Sequence, residues 1–373
     1  MSRTPLLGVE LSDAGAHPAA WRLPAADPER LFDPHRWADL VSTAESGGLD
    51  LVVLPDAFAI QDDDGSVRGR LDSLLTAARL GPVTRHIGLV ATVTTTHTEP
   101  FHVAKAVQTL DWVSHGRAGW EVAVSRTPEE AALVGRKPAE PDDELWAEAD
   151  DVVEVVGRLW DSWEDDAEIR DVGTGRFIDR TRIHDVDFQG PRFSVKGASI
   201  TPRSPQGRPP VVVRADSPAA LRLASQRADV VRITARDLAQ ATRRAAGVRS
   251  RVVAAGRDPG EVAVLVDVVA WLGEDAAARR AQLDGWLPTD PGTVVQVGHA
   301  TGLADLIGEW TSVVDGVVVR PAVLPTDLDA LVADVVPLLR ARGLRPDGPP
   351  GPTLRDTLGL ARPASRYAEA GTR

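Results

Sequence analysis

No cysteine occurs among the 373 residues, so disulfides, thiol nucleophiles and thiolate-held metal ions are excluded. The chain also lacks any apolar run long enough to span a bilayer, which excludes a transmembrane helix. Its opening MSRTPLLGVELSD carries only a short apolar stretch and no small-residue cleavage pattern; no signal peptide is read there, and a cytoplasmic location is expected. Basic residues are outnumbered, 42 Lys and Arg against 54 Asp and Glu for a formal charge of −12, and they form no long stripe. An extended nucleic-acid backbone is therefore not the expected partner, while a local anion pocket is compatible with this balance. There is no G-x-G-x-x-G and no P-loop, and His86, His102, His115 and His184 show no ligand spacing, so no metal centre is expected.

What the chain has is an alternation of strand-like and helix-like segments over almost its whole length. Apolar runs at Leu6–Leu11, Leu49–Pro55, His86–Val93 and Trp120–Val124 alternate with helical patterns at Arg36–Ser46, Asp72–Leu80, Phe101–Val113 and Asp143–Trp163. The pattern breaks, then resumes with strands at Pro210–Arg214, Asp229–Ile233, Val262–Ala270, Val294–Val297 and Gly316–Val319, and closes on a helix at Leu328–Arg340. Seven or eight such βα units predict an α/β fold, a (β/α)8 TIM barrel in preference to an open doubly wound sheet. Residues 1–345 are assigned to the barrel, and about 165–205 to a β-rich insertion with Gly-Pro punctuation. Residues 346–373 form a C-terminal tail behind the Pro/Gly-rich stretch Pro346–Pro352, expected to lie on the surface or on a neighbouring subunit.

Thr92, Thr94, Thr95, Thr96 and His97 crowd the end of the third strand. In parallel barrels chemistry sits at the carboxyl ends of the strands, which makes these five candidate site residues. They belong to the run HIGLVATVTTTHTEPFHVAKAVQTLDWVSHGRAGW, which is joined in order by HPAAWR from His17, LVVLPD ending at Asp56, LWDSWEDDA from Leu159, SPQGRPPVVV and TLRDTLGLARPASRYA. In these pieces the chain resembles, almost end to end, the bacterial luciferase-like FMN-dependent monooxygenases, in the branch of nitrilotriacetate, dibenzothiophene-sulfone and pristinamycin-type monooxygenases.

That resemblance implies a barrel enzyme that uses reduced FMN, supplied by a separate NAD(P)H:flavin reductase, with O2 as cosubstrate, to oxygenate a small organic substrate. It also implies a homodimer or homotetramer, an expectation strengthened here by the leucines of the tail. His17 would face substrate and His97 could donate a proton. Read from the residues alone, each is equally a loop imidazole. A flavin ring needs an apolar slot with a few fixed polar groups, and its phosphate needs N–H donors at a loop or helix start. Asp56, Thr92 and Thr94 end strands and could line the ring, unless Asp56 caps the next turn and the threonines are merely strand formers. Ser217 heads a helix and could hold the phosphate. By family position Glu121 joins the ring side, and Asp142 and Trp146 join the ribityl and phosphate side.

The departures from the family pattern are specific. Glu121 stands where an asparagine is usual, Asp142 and Trp146 where a histidine and a tyrosine stand four apart, and Val213-Arg214-Ala215-Asp216-Ser217 where a Gln-Ala-Gly-x-Ser phosphate loop is usual. Added carboxylates repel a phosphate unless Arg214 or another cation compensates, and loss of glycine obstructs close backbone approach. Weak FMN retention is therefore expected. Two further readings stay open: a flavin-poor or non-catalytic barrel acting as partner subunit or small-ligand binder, and a deazaflavin-dependent dehydrogenase on the same fold.

Overall fold

The computed structural model describes residues 4–60 and 64–367. In chain order it contains β1 (Leu6–Glu10), α1 (Pro34–Ser46), β2 (Leu51–Leu54), α2 (Ser73–Leu80), β3 (Gly88–Thr94), α3 (Pro100–Val113), β4 (Ala118–Ala123), α4 (Pro128–Val134) and α5 (Asp142–Asp161). Four short strands follow: β5 (Glu168–Asp171), β6 (Arg176–Ile178), β7 (Phe188–Gln189) and β8 (Ser194–Val195). The second half runs β9 (Val211–Arg214), α6 (Pro218–Arg227), β10 (Val230–Ile233), α7 (Leu238–Ala254), β11 (Ala263–Leu272), α8 (Ala276–Trp286), β12 (Val294–Gly298), α9 (Ala300–Trp310) and β13 (Gly316–Pro321). Helices α10 (Thr326–Ala330), α11 (Val336–Ala341) and α12 (Leu354–Thr357) complete it.

Eight parallel strands close a ring in the order β1, β2, β3, β4, β9, β10, β11, β13, with β13 pairing back to β1. The expected (β/α)8 barrel is thus the observed fold. Strands covered on both faces read as near-continuous apolar runs, as LVVL in β2 and VVRI in β10 do. The ten-residue β11 is long enough to leave the ring, and its far half, Val268–Leu272, pairs with β12. Helix starts follow local chemistry: Ser217 caps α6 through the Ala220 N–H, and Asp237 caps α7 through that of Gln240. The sequence pattern left α4 unassigned, although Thr127 and Glu130 form a reciprocal capping box at its start. The interruption after α5 consists of two antiparallel hairpins, β5–β6 and β7–β8. No helix among the described residues is long and apolar enough to cross a membrane.

In the C-terminal segment Leu354, Leu358 and Leu360 are buried against Leu6, Leu51, Val90 and Leu265, plugging the amino-terminal end of their own barrel. Approach there is close: a Cβ on Gly88 would lie 2.5 Å from Leu354 Cδ1, so a side chain at residue 88 would have to displace Leu354. The tail, expected on the surface or on a neighbouring subunit, thus packs these leucines on an apolar surface of its own barrel. Residues 368–373 of the expected extension lie outside the described residues. Past the plug, Arg362 pairs with Asp165 at 2.5 Å and Arg366 with Glu154 at 3.0 Å, tying the tail to α5 and the start of the insertion.

Leu354→Ala should lower unfolding stability by about 2–5 kcal/mol, the range for emptying a buried leucine site; unchanged urea melts would show that the plug does not hold the barrel. Acid should act on the tail as well. Burial works to raise the Glu154 carboxyl, but Arg158, Arg366 and Arg227 outweigh it and hold the group down at about 2. For Asp165 the Arg362 hydrogen bond leads, with Arg203 adding to it, and the value is again about 2. Depressed carboxyl values contribute stability that is present above the ordinary values and is lost as pH falls through the folded ones. Stability should therefore decline between about pH 4.5 and pH 2, and Arg362→Gln with Arg366→Gln should flatten that decline in pH-dependent melts.

Candidate active site

The carboxyl end of the barrel interior is ionic. Arg232 of β10 is fully buried and donates to three carboxylates: Glu10 Oε2 at 2.6 Å, Glu121 Oε2 at 2.7 Å and Asp267 Oδ1 at 3.0 Å. Arg214 at the end of β9 holds the other oxygen of Asp267 at 2.6 Å, and Arg320 of β13 holds the other oxygen of Glu10 at 2.8 Å. Thr92 of β3 completes the ring with a longer bond of 3.4 Å to Glu121. Three guanidinium groups meet three carboxylates, so the layer is neutral as a whole. Burial alone would raise the Glu10 carboxyl, yet Arg320, Arg232 and Arg214 hold it far below the usual carboxylate range. Desolvation alone would lower Arg232, yet Asp267, Glu121 and Glu10 raise it well above its ordinary value. Glu10 and Arg232 stay charged because each has its counter-charge in hydrogen-bond contact.

Around this floor the sequence-derived candidates fall into separate groups. Glu121, Thr92 and Arg214 belong to the floor. Asp56 accepts from the Ala57 and Ser73 N–H groups, so it secures the chain entering α2; this is the capping alternative, and its oxygens are spent on backbone. Thr94 is buried at the end of β3, while Thr95 bonds the Ala123 carbonyl and Thr96 accepts from the Ser125 N–H, stapling the loop after β3 to the end of β4. His17 is not a surface imidazole. It lies buried edge-on to Trp271, accepts from the Ala19 N–H through Nδ1 and meets Asp284 through Nε2 at 3.3 Å. Desolvation lowers its pKa despite Asp284. His97 sits on the opposite flank, tilted against Phe58, in the wall of a cavity of about 220 Å³ with Arg136 and Lys137. Both its ring nitrogens are buried without a hydrogen-bond partner among the described residues, and burial followed by Lys137 lowers its pKa. His17 and His97 are therefore held by different elements and do not converge.

The α6 start carries the remaining candidates. Ser217 donates to Asp142 Oδ2 at 2.6 Å and accepts the capping N–H of Ala220, so both functions of its hydroxyl are engaged. Arg126, just past β4, donates Nε to Asp142 at 2.9 Å and grips Asp216 with both terminal nitrogens, at 2.8 and 3.1 Å. Its guanidinium carbon lies 5.7 Å from the centroid of the Trp146 ring. Of the two expectations for the cation that offsets these carboxylates, Arg214 or another, the second is observed at Asp216: strand alternation turns Arg214 into the barrel, where it holds Asp267, and Arg126 does the pairing. Arg126, Arg232, Glu10, Asp267 and Arg320 escaped the sequence reading. Single charges inside apolar strands, as in VVRI and LVDVV, were the available signal for four of them.

Between the chain after β2, the end of β4 and α4 opens a cleft of about 1120 Å³ walled by Ala57, Ile60, Val124 and Leu133, with Arg68, Arg70 and Arg126 and the carboxylates Glu129 and Glu130 beside them. A flat apolar plate has room in it. FMN's phosphate, at the place expected for it, does not fit: Asp142 and Asp216 face one arginine there, leaving a net negative charge, and the Ser217 hydroxyl is already committed. Among the described residues no group of three or more His, Cys, Asp or Glu is arranged to hold a metal ion.

Residues 14–308 match the family profile described as luciferase-like monooxygenase. The chain is 31% identical to nitrilotriacetate monooxygenase component A of Aminobacter aminovorans, over 97% of this chain and 98% of that protein. It is 30% identical to N-acetyl-S-(2-succino)cysteine monooxygenase of Bacillus subtilis (strain 168), again over 97% of this chain and 98% of the other. Among solved structures, the EDTA monooxygenase from Chelativorans sp. BNC1 superposes with a TM-score of 0.87 at 24% identity, covering 96% of this chain and 99% of that one, which supports the fold.

Replacing Arg232 tests the floor. Arg232→Met leaves three carboxylates facing one another in the barrel, and removing one partner of a buried ionic group costs about 3–5 kcal/mol. Denaturant unfolding should register a loss of that size, and a near-neutral result would mean that the carboxylates are independently solvated.

Proposed function

Since the chain belongs to the luciferase-like monooxygenase family, whose members are flavin-dependent enzymes, we propose that it is the oxygenase component of a two-component system acting on a small organic substrate that carries carboxylate groups. The observation that carries this reading is the wide cleft at the carboxyl face, apolar along Ala57, Ile60, Val124 and Leu133 and edged by three arginines, Arg68, Arg70 and Arg126, against two carboxylates, Glu129 and Glu130. Reduced flavin, made by a separate NAD(P)H:flavin reductase, supplies the two electrons with which O2 places one oxygen atom in the substrate and releases the other as water.

The protein's part is positioning and exclusion of water. The floor is neutral and fully paired, so it presents a rigid polar surface with no unpaired charge to draw water inward. Arg70 lines the cleft, where its charge also acts on Asp13 and Asp56. A guanidinium in that position suits a carboxylate, which it can bind through two parallel hydrogen bonds. The relatives named for nitrilotriacetate and N-acetyl-S-(2-succino)cysteine act on carboxylate-bearing molecules, in accord with this choice. The self-neutralised cluster at Asp142, Asp216 and Arg126 favours a second reading, a flavin-poor barrel that binds carboxylates without oxygenating them.

Nitrilotriacetate, O2, added flavin, a flavin reductase and NADH, mixed with the full chain, should give substrate-dependent oxygenated product, measured by mass spectrometry with 18O2. Arg70→Met should raise KM about tenfold with little change in kcat, the pattern of a lost ground-state contact. Saturable carboxylate binding with no 18O incorporation under any flavin supply would favour the second reading.

A further inference from the structure

We infer that a second pocket, at the amino-terminal end of the barrel and so opposite the cleft, binds a compact tetrahedral dianion of the phosphate type and through it fastens the C-terminal tail to the barrel. The pocket, of about 220 Å³, lies between α5, α6, the start of β9 and the tail. Val211 opens β9 and Asp229 stands just before β10, which puts it at the strand starts. Five arginines line it: Arg208, Arg227 and Arg257 from the barrel, and Arg355 and Arg366 from the tail. Only two carboxylates share that lining, Glu154 and Asp229. Arg355, joined to the plug residue Leu354, is 8% exposed, so this charge is buried and not merely displayed on the surface.

The five guanidinium groups are unevenly paired. Arg227 holds both oxygens of Asp150 and donates to Glu154 at 2.6 Å, while Arg366 donates to the other Glu154 oxygen at 3.0 Å. Arg355 reaches Asp229 only at 3.3 and 3.4 Å, and its Nε donates to the Arg208 carbonyl at 2.6 Å. Arg257 donates to two carbonyls, Ser225 at 3.3 Å and Ala228 at 2.8 Å, and has no ion pair among the described residues. Arg208 lies 3.4 Å from Asp161, a carboxylate it shares with Arg203 and Arg366, and its buried Nε has no hydrogen-bond partner among the described residues. Burial leads in lowering the pKa of both Arg208 and Arg257, and Arg366 and Arg355 push Arg208 further down; the carboxylates nearby do not restore either. Cations crowded in a desolvated pocket without matching carboxylates are stabilised by an anion that enters. A carboxylate brings one charge and two oxygens. A phosphate brings two charges and acceptors in several directions, which suits guanidinium groups converging from barrel and tail.

Isothermal titration calorimetry of the full chain with inorganic phosphate and with glycerol 3-phosphate, at an ionic strength held constant with NaCl, tests this. One saturable site is expected; tighter binding of inorganic phosphate marks the free ion as the occupant, and tighter binding of glycerol 3-phosphate marks a small phosphate ester. Arg257→Met should weaken the binding about tenfold, whereas Arg70→Met, in the cleft, should leave it unchanged. Arg366→Gln, at a side chain 31% exposed, should show the weakening if Arg257→Met fails to fold. Saturating anion should also slow amide hydrogen exchange at residues 354–358, the part of the plug beside Arg355. No saturable site for either anion overturns the inference, and so does weakening by Arg70→Met as large as that by Arg257→Met, which would place the anion in the cleft. Binding that leaves exchange at 354–358 unchanged overturns the fastening of the tail.

Discussion

A guanidinium with no access to water governs this barrel. Arg232 sits where barrels of this kind ordinarily pack branched apolar side chains, and its charge obliges Glu10, Glu121 and Asp267 to turn inward from three different strands. Those carboxylates in turn recruit Arg214 and Arg320 from two more. Removing any one member strands the others, so the layer forms as a unit. Because three positive groups balance three negative ones, it contributes no net field to the cleft above, and the character of that cleft is left to Arg70, Arg126 and the carboxylates at α6.

The two ends of the barrel are closed by opposite physics. At the carboxyl end the closure is ionic and directional; at the amino end it is apolar, with Leu354, Leu358 and Leu360 filling the space between strand starts. The insertion and the tail are stitched together on the flank by Arg203, which is buried against Asp161 and also holds Asp165 and the Pro363 carbonyl. Such a scaffold fixes the strand ends, and variation in the loops above it can then change what is bound without disturbing the core.

The fold was readable because its signal is local: each strand and helix announces itself within a dozen residues, and parallel strands separated by helices leave few architectures. The site was less readable because its contacts are not. Glu10 and Arg232 are 222 positions apart and meet only after the ring closes. Asp56 and Thr92 were singled out by position at strand ends, yet a strand end says nothing of whether a side chain faces ligand, backbone or another strand. Arg214 shows the difficulty most clearly, since a one-residue alternation decides whether it serves the cleft or the floor. The tail was left between the surface and a neighbour for a related reason: its leucines required an apolar cover, and the sequence does not state that the chain's own barrel supplies one.

The plug at the amino end also bears on how the molecule is made. The first strand, β1, finds one of its two neighbours in β13, and its Leu6 is covered by leucines beyond residue 353. Synthesis proceeds from the amino terminus, so β1 waits until β13 and the plug leucines have been made for its second pairing and for its cover. An apolar strand edge stays open during that interval, and the ring cannot close before it ends.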